Sequence, residues 1–310
     1  MRVGDISLSA GQRRVVEQPV ESHLFLEGPA GCGKTTAGVH RLRRLLENGV
    51  PASSILILVP QRTLATPYYD ALHSPAVGPG GEVTVVTIGG LAQRMVDLFW
   101  PLVAAEAGFA HPDRPPTFLT LETTQYHMAR LVRPLLEQHY FDTIVIDRNR
   151  LYSQIVDNLN KAAVVGFPIT TIGERLKAAW QGDESQRRVY DEAQTCALRF
   201  REYCLAHNLL DFSLQVEVFR DYLWASPTRR AYLLERYRHL LVDNVEESVP
   251  LAHDILRDWL PAARSALLIY DTDAGYRRFL GADPEGGRAL GDLCDTRVVL
   301  DESFVSGRDV

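Results

Sequence analysis

Leu24-Phe-Leu-Glu27 runs directly into Gly28-Pro-Ala-Gly31-Cys32-Gly33-Lys34-Thr35-Thr36, and a helical pattern follows to about Leu46, with Val39, Leu42, Leu45 and Leu46 on one face. An apolar run that stops at glycine, a glycine-rich turn, and Lys-Thr at the head of a helix make up the phosphate loop G-x-x-x-x-G-K-[ST] in the strand–turn–helix setting its mechanism needs. The glycines let successive backbone N–H groups wrap an anion, and the helix that starts there turns its positive end toward it. The expectation is a nucleotide site lined by Gly28, Gly31, Cys32, Gly33 and Thr36. In it Lys34 bridges the β- and γ-phosphates of ATP and the Thr35 hydroxyl ligates Mg²⁺.

Outward from this loop, Ile55-Leu-Ile-Leu-Val59 and Val83-Thr-Val-Val-Thr87 are near-continuous apolar runs of the doubly buried kind, and Leu91 to about Leu102 reads as a helix. Strands alternating with helices predict an α/β domain with a parallel sheet. From about residue 99 the texture changes. His111-Pro-Asp-Arg-Pro-Pro116 reads as a linker, and helical patterns cover 120–138, 148–164, 170–180 and 184–206. Strand-like runs return at Leu240–Asp243 and Ala266–Tyr270. The expected organisation is therefore an α/β domain in two parts, 1–98 and 209–297, interrupted by a mostly helical insertion over 99–208, with 298–310 opening a further domain. Gly78-Pro-Gly-Gly81 reads as a loop.

Composition narrows the functional classes. The chain of 310 residues carries 33 Lys+Arg against 39 Asp+Glu, a net charge of -6. A surface coated in positive charge is excluded, so any nucleic-acid contact must come from a local groove. Lysine is confined to Lys34, Lys161 and Lys177, which makes a lysine at a motif position stand out. Four scattered cysteines without a C-x-x-C pair argue against a disulfide framework and a zinc site, and the nine histidines show no ligand spacing. No apolar run reaches signal-peptide length in residues 1–20 or membrane-span length anywhere, so the chain is expected to be cytoplasmic, with no membrane partner. Glu184–Arg201 reads as a solvated helix face, and Trp100, Trp180, Trp224 and Trp259 as packing residues.

A phosphate loop alone does not choose between a small-molecule kinase, a GTPase and a motor. Its neighbours do. Leu8-Ser-Ala-Gly-Gln12, Ile55-Leu-Ile-Leu-Val-Pro-Gln-Arg62-Thr63-Leu-Ala65, Thr87-Ile-Gly-Gly90-Leu-Ala-Gln-Arg94, Leu210-Asp-Phe-Ser-Leu214, Arg236-Tyr-Arg-His-Leu-Leu-Val-Asp243, the stretch from Leu267 to Ala282, and Leu300-Asp-Glu-Ser-Phe-Val-Ser306 follow one another along the chain. In order and spacing they resemble the motifs of superfamily 1 DNA helicases of the UvrD/Rep type. The resemblance implies a RecA-like P-loop NTPase fold in which Gln12 contacts adenine and Asp243 organises Mg²⁺. It implies single-stranded DNA over Arg62, Thr63, Thr87, Gly90 and Arg94, with Phe279 as a base-stacking aromatic. It also implies that a second RecA-like domain, beginning near Leu300, completes the ATP site. Thr143-Ile-Val-Ile-Asp147 also reads as a strand ending in aspartate, but it lies inside the insertion and lacks the approach that Asp243 has.

Four departures from the family pattern fall on groups that handle the γ-phosphate or the attacking water. Asp-Glu-x-Gln-Asp becomes Asp243-Asn244-Val245-Glu246-Glu247, so an amide occupies the place of the general base. An amide orients a water but accepts no proton from it at neutral pH. Ala274 replaces the γ-phosphate-sensing glutamine, Leu280 an arginine, and Val305 the arginine of the terminal motif. Pro60 replaces a phenylalanine, a feature closer to AddB-type nuclease subunits. The expectation is ATP binding with eroded hydrolysis, Glu246 and Glu247 being the only stand-ins for the base. Two readings follow: the N-terminal portion of a motor, or a non-motor nucleotide- and DNA-binding scaffold beside a nuclease or helicase partner subunit. A small-molecule kinase leaves Thr87–Arg94 and Arg236–Asp243 unexplained.

Overall fold

Leu24, Phe25 and Leu26 are all fully buried, as a strand covered on both faces requires. The computed structural model describes residues 7–73 and 81–305; residues 78–80 of the expected Gly-Pro-Gly loop and Ser306 of the terminal motif lie outside them. In chain order, α1 (Ala10–Val16), β1 (His23–Gly28), α2 (Lys34–Glu47), β2 (Ile55–Leu58), α3 (Thr66–Leu72), β3 (Thr84–Val86) and α4 (Ile88–Val103) come first. A helix-rich stretch follows: β4 (Thr117–Phe118), α5 (Leu121–Leu136), α6 (Arg148–Val165), α7 (Ile172–Ala179), α8 (Arg188–Ala206), β5 (Leu209–Leu210) and α9 (Phe212–Val218). The chain then forms α10 (Pro227–Arg236), β6 (His239–Val242), α11 (Pro250–Trp259), β7 (Ser265–Asp271), α12 (Pro284–Ala289) and β8 (Thr296–Val299).

Among the described residues, six parallel strands form one sheet in the order β3-β2-β6-β7-β1-β8. Side chains alternate across it. Leu24, Leu26, Ile55, Ile57, Leu267 and Ile269 share one core with Val39, Leu42 and Leu45 of α2, while Phe25 stacks at 5.8 Å on Tyr270 of the neighbouring strand. The fold is thus the expected α/β type with a parallel sheet. β8 leaves no hydrophobic run in the sequence, because only Val298 of Thr296-Arg-Val-Val299 is buried. Beside its parallel pairing with β1, a paired contact fastens this edge strand: Arg297 Nε and Nη2 donate to the two carboxylate oxygens of Glu27, at 2.9 and 2.6 Å.

The chain divides into two compact units, Met1–Leu91 with Pro227–Val310, and Ala92–Ser226. The second unit is wider than the 99–208 expected from sequence texture. α4 continues without a break past residue 99, and α9 packs on α6. This unit is mostly helical, with one short parallel pair, β4 and β5. Two expectations within it are corrected. Thr143–Asp147 forms no strand; Asp147 caps α6 by accepting from Asn149 N and Arg150 N. The charged face of α8 is only partly solvated: Glu192 and Arg201 are buried, Glu192 accepting from Phe141 N (2.7 Å) and Arg201 donating to Glu217 (2.7 Å) and Ser213 (3.0 Å). Trp100, Trp224 and Trp259 are buried, and no helix among the described residues is long and apolar enough to cross a membrane.

Leu26 sits in β1 with strands on both sides and no exposed surface. Leu26→Ala is expected to lower stability by about 2–5 kcal/mol, the range for a leucine truncated in a packed core. The check is the urea midpoint of the transition that reports on the sheet.

Candidate functional site

The phosphate loop joins the end of β1 to the start of α2. Gly31 and Gly33 take φ of 75° and 79°, the left-handed region that glycine enters without steric cost. A Cβ on Gly33 would lie 2.2 Å from Gln12 Nε2, so glycine there also admits a close neighbour. Gln12 opens α1 through a capping box with Ser9: Ser9 N donates to Gln12 Oε1 (2.8 Å) and Gln12 N to Ser9 Oγ (3.2 Å). Its Nε2 then donates to the Gly33 carbonyl at 3.1 Å. The structure therefore brings Gln12 to the loop, with both ends of its amide already partnered by protein. The left-handed glycines and the start of α2 fit a phosphate chain. Cys32 is buried in the loop, and burial pushes its thiol pKa up.

Lys34 is buried, and its Nζ donates to the carbonyls of Gly28 (2.8 Å) and Pro29 (2.6 Å) and to Asp271 Oδ2 (3.1 Å). Asp271 ends β7, next to β1 in the sheet. Asp243 follows β6 and is 1% exposed. Burial raises its pKa, while hydrogen bonds from the Tyr68 hydroxyl, from Thr35 and from Asn244 N act in the opposite direction. The Tyr68 bond to Asp243 Oδ2 is 2.8 Å and the Asn244 N bond to Oδ1 is 3.0 Å. The Thr35 hydroxyl is thus near enough to Asp243 to favour its ionised form. A hydroxyl and a carboxylate are the hard oxygen donors that suit Mg²⁺, an ion usually shared with phosphate oxygens rather than caged by protein. No group of three or more His, Cys, Asp or Glu among the described residues is arranged to hold a metal ion. Thr36 is half-buried in the first turn of α2.

The residues expected to handle the attacking water are arranged differently. Asn244 adopts φ 56°, a left-handed conformation that asparagine tolerates, and its Nδ2 donates to Glu246 Oε1 at 3.2 Å. Glu246 has no exposed surface, and its other oxygen accepts from Asp271 N at 2.9 Å. Burial pushes its pKa up to about 7. It is a core brace between two loops. Glu247 accepts from Gly275 N at 2.9 Å and is likewise committed to a neighbouring loop.

At the same sheet edge, Arg62 and Thr63 are exposed on the turn Arg62–Ala65. Phe279 is 71% exposed and Tyr276 82% on the turn Tyr276–Leu280, which follows β7. The two segments meet where the Gln61 side-chain amide lies against the Arg277 guanidinium. Thr87 accepts from Gly90 N at 3.0 Å and so caps α4, which gives this pair a local structural role. Arg94 is exposed on α4 and belongs to the second unit. Residues 303–305 cross the phosphate loop: Phe304 N donates to Gly31 O (3.0 Å) and Ser303 Oγ to Ala30 O (3.1 Å). Val305 stands against Gly31. Sequence reading missed three participants. Asp271 and Phe304 lay within recognised motifs but carried no assigned role; Tyr68, in the interior of a short helix, gave no signal at all.

A family model described as UvrD/REP helicase N-terminal domain matches residues 8–290. No curated protein matches the chain.

Glu246 gives a pH signature. Its folded pKa of about 7 lies above the ordinary 4.5, so below 4.5 it is protonated in both states and exerts no pH effect. As pH rises from there through about 7, the unfolded state gains the ionised form first and folded stability falls. Glu246→Gln should therefore gain stability relative to wild type between pH 5 and pH 8, read as the difference in Tm across that range. A difference independent of pH would contradict the assignment.

Proposed function

Because the chain belongs to the UvrD/REP helicase N-terminal domain family, we propose that it binds Mg·ATP between the Gly28–Thr36 loop and Asp243 and hydrolyses it poorly. The observation that carries this reading is the meeting of Lys34, Thr35 and Asp243 at one buried sheet edge. Lys34 exchanges its carbonyl and Asp271 partners for phosphate oxygens, gaining charge-assisted contacts. Thr35 and Asp243 hold Mg²⁺, whose chemistry is to neutralise phosphate charge. Gln12 faces the adenine side, its remaining amide donor and acceptor capacity directed to the base.

The hydrolytic half of the machinery is where this chain differs. Asn244 can take no proton from a water and turns its amide onto Glu246, and Glu246 is sequestered by Asn244 and Asp271 N. Val305 offers the γ-phosphate no charge. Loss of a general base and of an electrostatic donor each costs on the order of a hundredfold or more in rate. The sequestered Glu246 favours the second reading as well, a nucleotide- and DNA-binding scaffold working with a second RecA-like domain in cis or with a nuclease or helicase partner subunit. Single-stranded DNA lies over Arg62 and Thr63 and stacks on Phe279, an aromatic contact worth about 1–3 kcal/mol per base. With a net charge of -6, that binding is weak and falls steeply with salt.

Calorimetric titration with Mg·ADP tests the nucleotide site. Lys34→Ala should weaken binding by about 1.5–3 kcal/mol, the loss of hydrogen bonds to a charged group; equal affinities would contradict the reading. In a phosphate-release assay, the unmodified protein should turn over near background with or without oligothymidylate. Robust DNA-stimulated turnover would return the chain to the active motors.

A further inference from the structure

Tyr68 has no exposed surface, yet it carries a hydroxyl that the surrounding apolar core does not need. That hydroxyl donates to Asp243 Oδ2 at 2.8 Å. The facing helix makes room for it. Gly38 sits in the interior of α2, where glycine costs about 1 kcal/mol against alanine. A Cβ there would lie 2.7 Å from the Tyr68 hydroxyl oxygen and 2.8 Å from Ile269 Cδ1. The notch in α2 and the hydroxyl that fills it form one arrangement, and its outcome is a donor aimed at a buried carboxylate.

The element that carries the donor is fixed on both sides. Tyr69, the next residue of α3, donates its hydroxyl to Val85 O of β3 at 3.0 Å. β3 and β6 are the two neighbours of β2, so adjacent tyrosines fasten α3 across β2. The other donors to Asp243 come from its own loop, Asn244 N, and from the phosphate-binding helix, Thr35. Tyr68 alone among these three belongs to an element outside the phosphate loop and the Asp243 loop.

We propose that Tyr68 is a positioning residue for the cation site, its hydroxyl holding the Asp243 carboxylate in the orientation that serves Mg²⁺. The proposal rests on the Mg·nucleotide reading above. It makes no demand on the phosphate cradle, so its effect belongs to the metal-dependent part of nucleotide binding.

Tyr68→Phe removes the hydroxyl and keeps the ring. The experiment titrates Mg²⁺ against a fixed concentration of fluorescent ADP, repeats the nucleotide titration in EDTA, and records thermal unfolding. The expected result is a Mg²⁺ half-saturation raised about tenfold, the order associated with one hydrogen bond to a charged group, with the affinity in EDTA within about twofold of wild type. A Mg²⁺ half-saturation unchanged within twofold would overturn the proposal, as would an equal loss in Mg²⁺ and in EDTA, the mark of a merely structural role. Should Tyr68→Phe fail to fold, Gly38→Ala, which sets a methyl against the same hydroxyl, must give the same Mg²⁺-selective loss or the proposal falls. Wild type that binds no nucleotide would instead refute the Mg·nucleotide reading, and this proposal with it.

Discussion

A carboxylate buried at the end of β6 is the constraint on which the rest of the site depends. Asp243 costs free energy to bury in its ionised form, and that cost is offset by donors from its own loop, from α2 through Thr35 and from α3 through Tyr68, together with the nearby Lys34 charge. Each of those elements is placed by the parallel sheet, whose register puts the ends of β1, β6 and β7 at one edge. The phosphate loop could exist on many folds.

The same edge carries a second set of buried and half-buried carboxylates. In Asp243-Asn244-Val245-Glu246-Glu247 the two glutamates are braces, Glu246 to Asp271 N and Glu247 to Gly275 N, and they stabilise the loop after β6 against the loop after β7. A carboxylate with no exposed surface and a pKa pushed up to about 7 is poorly placed to meet water on the nucleotide side. Asn244 completes the brace through its amide rather than reaching outward. Asn244, Glu246 and Glu247 thus share one packing arrangement that joins the loop after β6 to the loop after β7.

Much of the fold was legible because buried parallel strands write themselves as apolar runs, as in Leu24–Leu26 and Ile55–Leu58, and because a phosphate loop is local in sequence. β8 was not legible: an edge strand with one buried residue leaves no hydrophobic signal, and its Arg297–Glu27 pairing spans most of the chain. The limits of the second unit were blurred for a related reason, since α4 passes from one unit into the other as a single helix. At the site, Lys34 and Thr35 stood out from the phosphate-loop pattern, and Gln12 and Asp243 through the resemblance to helicase motifs. Tyr68 was not, because its role arises from a hydroxyl meeting a notch at Gly38 and a carboxylate 175 positions away. The burial of Glu246 was likewise invisible, since sequence shows a glutamate's identity and not the direction it faces.

The central proposal is that this chain binds Mg·ATP and hydrolyses it poorly. The most direct measurement is to incubate the protein with Mg·ATP and an oligothymidylate for several hours, separate it from free nucleotide, and identify chromatographically what remains bound. The account predicts intact ATP at close to one per chain, lost in Lys34→Ala. Recovery of ADP as the main bound species, or of no nucleotide at all, would contradict it.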